Sequence, residues 1–176
     1  MARVELPLEV EEFLSWMVAE KGRSPNTLAA YRRDLTAYWT WLRSRERTVL
    51  DVAHSELVEF VAGRRASEAA TSSIARQLAA IRMLHRYLAI EGERPDDPAA
   101  DLEGVRVPSG IPKPLDESQV ISLLDAVIGT EPADRRDRAL LELLYATGAR
   151  ISEAVGLSIG DINLDDRLVR LYGKGA

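Results

Sequence analysis

Tyr145-Ala-Thr-Gly-Ala-Arg-Ile-Ser-Glu153 ends one helical run and opens another. Leu140, Leu141, Leu143 and Leu144 precede it at helical spacing, and Thr147-Gly148 supplies the break, because glycine accepts the left-handed backbone that closes a helix. Arg150 therefore leaves a turn at the start of a short helix predicted over 151–157. Some twenty residues on, Leu171-Tyr-Gly-Lys-Gly-Ala176 follows the alternating stretch Arg167-Leu-Val-Arg-Leu-Tyr172, which reads as a strand, with residues 161–166 as the turn before it. Helices that give way to a strand and a glycine turn predict the start of an α+β unit.

Working back from this stretch, the chain is helical. Helices are predicted over 116–127 and 134–146, the first with acidic residues suited to its opening turn. Residues 93–114 hold Pro95, Pro98, Pro108, Pro112 and Pro114 with Gly104 and Gly110, which no continuous helix accommodates, so they read as an extended connector. Before it lie four amphipathic runs. Residues 9–21 align Val10, Phe13, Leu14, Met17 and Val18. Ser24-Pro25 is an N-cap followed by a proline at the first helical position, opening a helix to about Arg45 that carries Leu28, Tyr31, Leu35, Tyr38, Trp39 and Leu42. The others span 55–66 and 71–90, the last with Ile74, Leu78, Ile81, Leu84, Tyr87 and Leu88 inward. The fold class is thus mainly α: a domain of four to five helices over 1–92, a linker over 93–114, and the beginning of a second domain over 115–176.

Composition narrows the function classes. Of 176 residues, 23 are basic and 28 acidic, for a net charge of −5, and cysteine is absent, which excludes disulfides and thiolate metal sites. Neither half is basic: 15 basic face 17 acidic residues up to Pro108, and 8 face 11 beyond it. A nucleic-acid binder usually has a basic footprint, although one face can be basic while another holds the acids. His54 and His85 have no partner at metal-ligand spacing and read as structural. No apolar run is long enough for a membrane span, and no signal-peptide core stands at the N-terminus, so a soluble, cytoplasmic chain without membrane contact is expected.

Short polar side chains gather at two predicted helix starts: Asn26 and Thr27 in one, Ser72 and Ser73 in the other, with Arg76 and Gln77 one turn later. Free backbone N–H groups at a helix start suit phosphate, and arginine and glutamine have the donor geometry to read base edges. These are also ordinary capping and surface residues, so taken alone they leave DNA contact and plain solvation open. Tyr31, Trp39, Trp41 and Tyr87 follow the apolar stripes and read as packing residues before stacking platforms.

The order of these parts resembles the tyrosine site-specific recombinases, or phage-integrase family, of the Xer type. Ser24-Pro-Asn-Thr-Leu-Ala-Ala-Tyr-Arg-Arg-Asp-Leu35 is similar to the second helix of that family's core-binding, SAM-like domain. Thr71-Ser-Ser-Ile-Ala-Arg-Gln-Leu-Ala-Ala-Ile-Arg82 is similar to its fourth. The resemblance covers about residue 8 to 176. It implies a domain that clamps duplex DNA with Asn26, Thr27, Ser72, Ser73, Arg76 and Gln77 as contacts. By position, Arg150 matches the first catalytic arginine, Lys174 the lysine of the strand-turn element, and Glu153 the acid that supports them. It further implies recombination through a 3′-phosphotyrosyl link, a double-stranded recombination site, other recombinase subunits in a tetramer on DNA, and a use in chromosome partition and cell division. No cofactor or metal is implied. The chemistry suits the residues: arginine neutralises charge at phosphorus with a planar fork, and a mobile lysine can protonate a leaving oxygen.

The family also uses a His-x-x-Arg pair and a tyrosine nucleophile downstream of the glycine turn, and no His-x-x-Arg occurs in these 176 residues. The expectation is an N-terminal portion that binds DNA but cannot cleave it, and in which apolar faces at Leu140, Leu144, Val169 and Leu171 lack partners. A non-catalytic DNA-binding regulator and a helical protein-interaction module are the alternatives.

Overall fold

The structure is a computed structural model and describes residues 4–67, 69–108 and 113–173. The chain divides into two compact units, Met1–Gly110 and Ile111–Ala176.

The first unit is built from α1 (Leu8–Ala19), α2 (Pro25–Arg43), α3 (His54–Ala66) and α4 (Thr71–Ile90). Two of them begin where a side chain supplies a start. The Ser24 hydroxyl accepts the Thr27 N–H and Pro25 occupies the first turn of α2. The Glu56 carboxylate reaches back to the Ala53 N–H at the head of α3. α4 packs against the other three helices, and its Ile74, Leu78, Ile81, Leu84 and Leu88 meet Phe13, Met17, Leu35, Tyr38, Leu57 and Phe60 in one buried cluster. Burial of such side chains, at about 1.5–3 kcal/mol each, is what holds these helices together.

Inside this core Tyr38 Oη and His85 Nε2 are hydrogen-bonded at 2.8 Å. Burial, with the nearby Arg94 charge, pushes the imidazole down to about 3, and burial raises the Tyr38 phenol. The two therefore form a neutral pair. The other aromatic residues serve packing as expected: Trp41 lies edge-on to Phe60, Tyr87 against Phe13 and Trp16, and Tyr31 reaches the Met83 sulfur.

The first part of the expected connector, residues 93–102, packs against the helical unit. The buried Arg94 guanidinium donates to the Val49 and Val52 carbonyls, the His54 ring bonds the Pro98 carbonyl, and Ala99 and Leu102 enter the core. Prolines forbid a helix here, but they leave carbonyls and side chains free to pack. Residues 93–102 thus close the helical unit instead of leaving it.

The second unit contains α5 (Glu117–Asp125), α6 (Pro132–Thr147), α7 (Ile151–Val155), a 3-10 turn at Ile159–Asp161, and an antiparallel pair of strands β1 (Ile162–Asn163) and β2 (Leu168–Val169). Asp116 caps α5, with Gln119 returning the bond to the Asp116 N–H. The expected strand over 167–172 is ordered as a strand only at Leu168–Val169. Its partner β1 lies where the sequence predicts a turn, because Asn163 and Asp166 bond each other's side chains across a tight hairpin. Among the described residues only Ala154 is a fully buried apolar residue in this unit.

Candidate functional site

Two arrangements carry the polar residues singled out by the sequence. In the first unit, Asn26 and Thr27 lie in the opening turn of α2 and Ser72 and Ser73 in that of α4. Asn26 and Ser72 are exposed, and Thr27 and Ser73 are half-buried. The Thr27 hydroxyl shares a hydrogen bond with the hydroxyl of the cap residue Ser24.

Arg76 and Gln77, adjacent in sequence, take opposite roles. Arg76 Nε and Nη2 donate to the two carboxylate oxygens of Asp34 at 2.8 and 3.1 Å, and this bond raises the arginine's pKa further. Its side chain stays 43% exposed while that of Asp34 is 10% exposed. Gln77 is only 2% exposed. Its amide nitrogen donates to the Asp34 carbonyl and its oxygen accepts from Arg64 Nε. Gln77 therefore does not offer its amide to a groove. It falls on the inner stripe with Ile74, Leu78 and Ile81, and there its polar ends tie α2, α3 and α4 together. Asp34 was missed by sequence reasoning. The signal was an acid three residues after Tyr31 and one before Leu35, on the face of α2 that packs inward.

In the second unit the Thr147-Gly148 turn aims Arg150. Gly148 has φ +64° and its N–H returns to the Leu144 carbonyl, while the Thr147 hydroxyl accepts the Ala149 N–H. The chain leaves the turn extended and Arg150 becomes the N-cap of α7. Glu153 then takes both the Arg150 N–H and the guanidinium, at 2.9 and 2.7 Å. Those two bonds, the backbone one first, hold the Glu153 carboxyl below the usual range. The Arg150 side chain remains 75% exposed.

The strand exit returns to this pair. A β-carbon built on Gly173 would stand 3.4 Å from Glu153 Oε1, so the backbone immediately before Lys174 passes beside the carboxylate that holds Arg150. Lys174 itself lies outside the described residues. No group of three or more His, Asp or Glu side chains is placed to hold a metal among the described residues, and no described helix is long and apolar enough to cross a membrane.

Comparison with known proteins gives this arrangement its context. Residues 10–92 match the phage integrase N-terminal SAM-like domain, and residues 113–176 match the phage integrase family. The tyrosine recombinase XerD of Pasteurella multocida is 42% identical over 166 residues. The chain belongs to the phage integrase family of tyrosine recombinases. That alignment covers 94% of the chain and 56% of the relative. The XerD of Yersinia pestis is 42% identical over 175 residues, covering 99% of the chain and 58% of the relative. The chain thus spans a little over half the length of these curated relatives. Among solved structures, the Tn1549 transposon integrase in complex with circular intermediate DNA superposes with a TM-score of 0.66 at 18% identity, covering 90% of this chain and 52% of that one. At that identity the likeness is one of fold. Family membership agrees with the mainly helical fold, its SAM-like first part and the catalytic-domain start expected from the sequence.

Proposed function

We propose that the whole protein is a site-specific DNA recombinase and that these residues supply its grip on duplex DNA and two charged members of its active site. The observation that carries the reading is Arg150, held by Glu153 from both its backbone and its guanidinium, with the chain before Lys174 passing alongside. In the reaction this family membership suggests, a tyrosine oxygen bonds to phosphorus and the 5′-oxygen leaves. Arg150 offers an exposed planar fork to the phosphate oxygens, where preorganised donors lower the barrier most. Glu153 fixes that fork without quenching it. Lys174 donates the proton that the leaving oxygen takes up. Asn26, Thr27, Ser72, Ser73 and Arg76 contact the duplex, and Gln77 supports them from within the fold.

The finer parts of the reading are a tetramer of recombinase subunits on a double-stranded site, action in the cytoplasm, and service to chromosome partition at cell division. The Tn1549 integrase, a protein of this fold, is itself in complex with DNA, which supports the DNA part of this reading. In the whole protein, Arg150→Ala should abolish covalent capture of a nicked suicide substrate while leaving duplex binding intact. Capture at the wild-type level would refute the assignment. The net charge of −5 favours a second reading, a helical interaction module. Titration of duplex DNA against salt separates the two: a log–log slope of about −3 or steeper requires phosphate contacts, and no dependence requires the module.

A further inference from the structure

Asp34 stands out because a carboxylate with so little exposure is costly to place. Its side chain is 10% exposed on the packed side of α2, and desolvating a charge there is unfavourable unless a partner compensates. Stability alone does not account for it. The α2–α4 contact is already made by Leu35, Tyr38, Ile81 and Leu84, all buried, and a pair whose cation is nearly half exposed adds little to stability.

The geometry offers another account. Asp34 engages Arg76 through Nε and Nη2 only, and Nη1 has no hydrogen bond among the described residues. The acid thus takes one side of the guanidinium fork and leaves the other side turned to solvent. The Asp34 backbone is tied in place, because Gln77 donates to its main-chain carbonyl and is anchored in turn by Arg64. A three-helix chain of bonds therefore sets the orientation of a planar donor on the outer face of α4, one turn beyond Ser72 and Ser73.

We propose that Asp34 is the positioning residue for base readout by this unit: it presents the free side of the Arg76 fork to the O6/N7 edge of a guanine in the major groove. The proposal rests on the DNA-binding reading of α4 given above. A flexible arginine tolerates many acceptors, whereas one clamped at its Nε side accepts the paired acceptors of guanine in a narrow range of poses. Asp34 contributes selectivity, and Arg76 makes the contact.

The test is selection of the full chain on a pool of random-sequence duplexes, with sequencing of the captured DNA. The wild-type chain should enrich a motif containing guanine. Asp34→Asn and Arg76→Ala should each flatten preference at that same position by about fivefold or more, with the rest of the motif retained as evidence of folding. Arg76→Lys keeps the charge but loses the fork. It should flatten that position too, and it decides the matter if Asp34→Asn does not fold. A motif altered by Arg76→Ala but kept by Asp34→Asn, or kept by Arg76→Lys, would overturn the positioning role while the α4 reading stands. Uniform weakening by Arg76→Ala with an unchanged motif would make Arg76 a phosphate contact and overturn base readout. If the wild-type chain enriches no motif, or Arg76→Ala changes neither motif nor affinity, the α4 reading fails and the proposal with it.

Discussion

Gln77 and His85 occupy α4 two turns apart, both on its buried face, and both join helices through polar atoms in an apolar setting. Removing the Gln77 amide breaks two inter-helix bonds, one to the Asp34 backbone carbonyl and one from Arg64 Nε. Gln77→Ala should therefore destabilise the first unit by about 1–3 kcal/mol, read as a shift in its urea midpoint. His85 gives a pH dependence whose sign is fixed. Its folded value near 3 lies below its ordinary 6.5, so the unfolded chain binds the proton first. The stability contributed by the neutral ring is whole above about pH 6.5. It falls as pH drops towards 3, at up to about 1.4 kcal/mol per pH unit. Between pH 6.5 and 5 the carboxylates with lowered values, such as Glu56, stay ionised. His85 contributes a loss of stability in that window, so the loss measured by urea unfolding should shrink in His85→Asn.

At the scale of elements, α7 is five residues long and too short to persist on propensity alone. It depends on the turn before it and the carboxylate within it. Gly148→Ala places a β-carbon at φ +64°, at a cost of about 1–2 kcal/mol. Because that turn also aims Arg150, covalent capture of a suicide substrate by the whole protein should fall more than its duplex binding does. Equal loss in both would mean that the turn serves folding only. α4 depends instead on its buried face. Leu78→Ala should cost about 2–5 kcal/mol in thermal or urea unfolding through the cavity it leaves.

The two units differ in how much core each has, and this sets the behaviour of the whole chain. Among the described residues, the first buries twenty apolar side chains in one cluster. In the second, Ile121, Leu123, Ile151, Val155, Ile159 and Leu168 are exposed, whereas Leu140, Leu144, Val169 and Leu171, expected to lack partners, are half-buried among their neighbours. All three tryptophans, Trp16, Trp39 and Trp41, belong to the first unit. Urea unfolding should therefore not be two-state. Far-UV circular dichroism should lose signal at lower urea than tryptophan fluorescence, and coincident curves would show that the units unfold together. The exposed apolar side chains also predict concentration-dependent self-association, which Ile121→Lys should reduce in sedimentation experiments.

The helices of the first unit are legible in the chain's local pattern, because apolar period, the Ser24 cap and the breakers agree with one another. The sequence also set Glu153 one helical turn after Arg150, a spacing at which the structure joins the two residues without help from distant ones. The tertiary structure decided what local pattern cannot. It turned Gln77 inward and left Arg76 outward although they are neighbours, because a helix rotates each successive side chain by about 100° and only the position of α2 defines which side is buried. It drew residues 93–102 into the core, because Arg94 found carbonyls some forty residues away. It gave Asp34 its partner, forty-two residues distant. A charge on an inward stripe is an anomaly in sequence; only the crossing of α2 and α4 supplies the guanidinium that accounts for it.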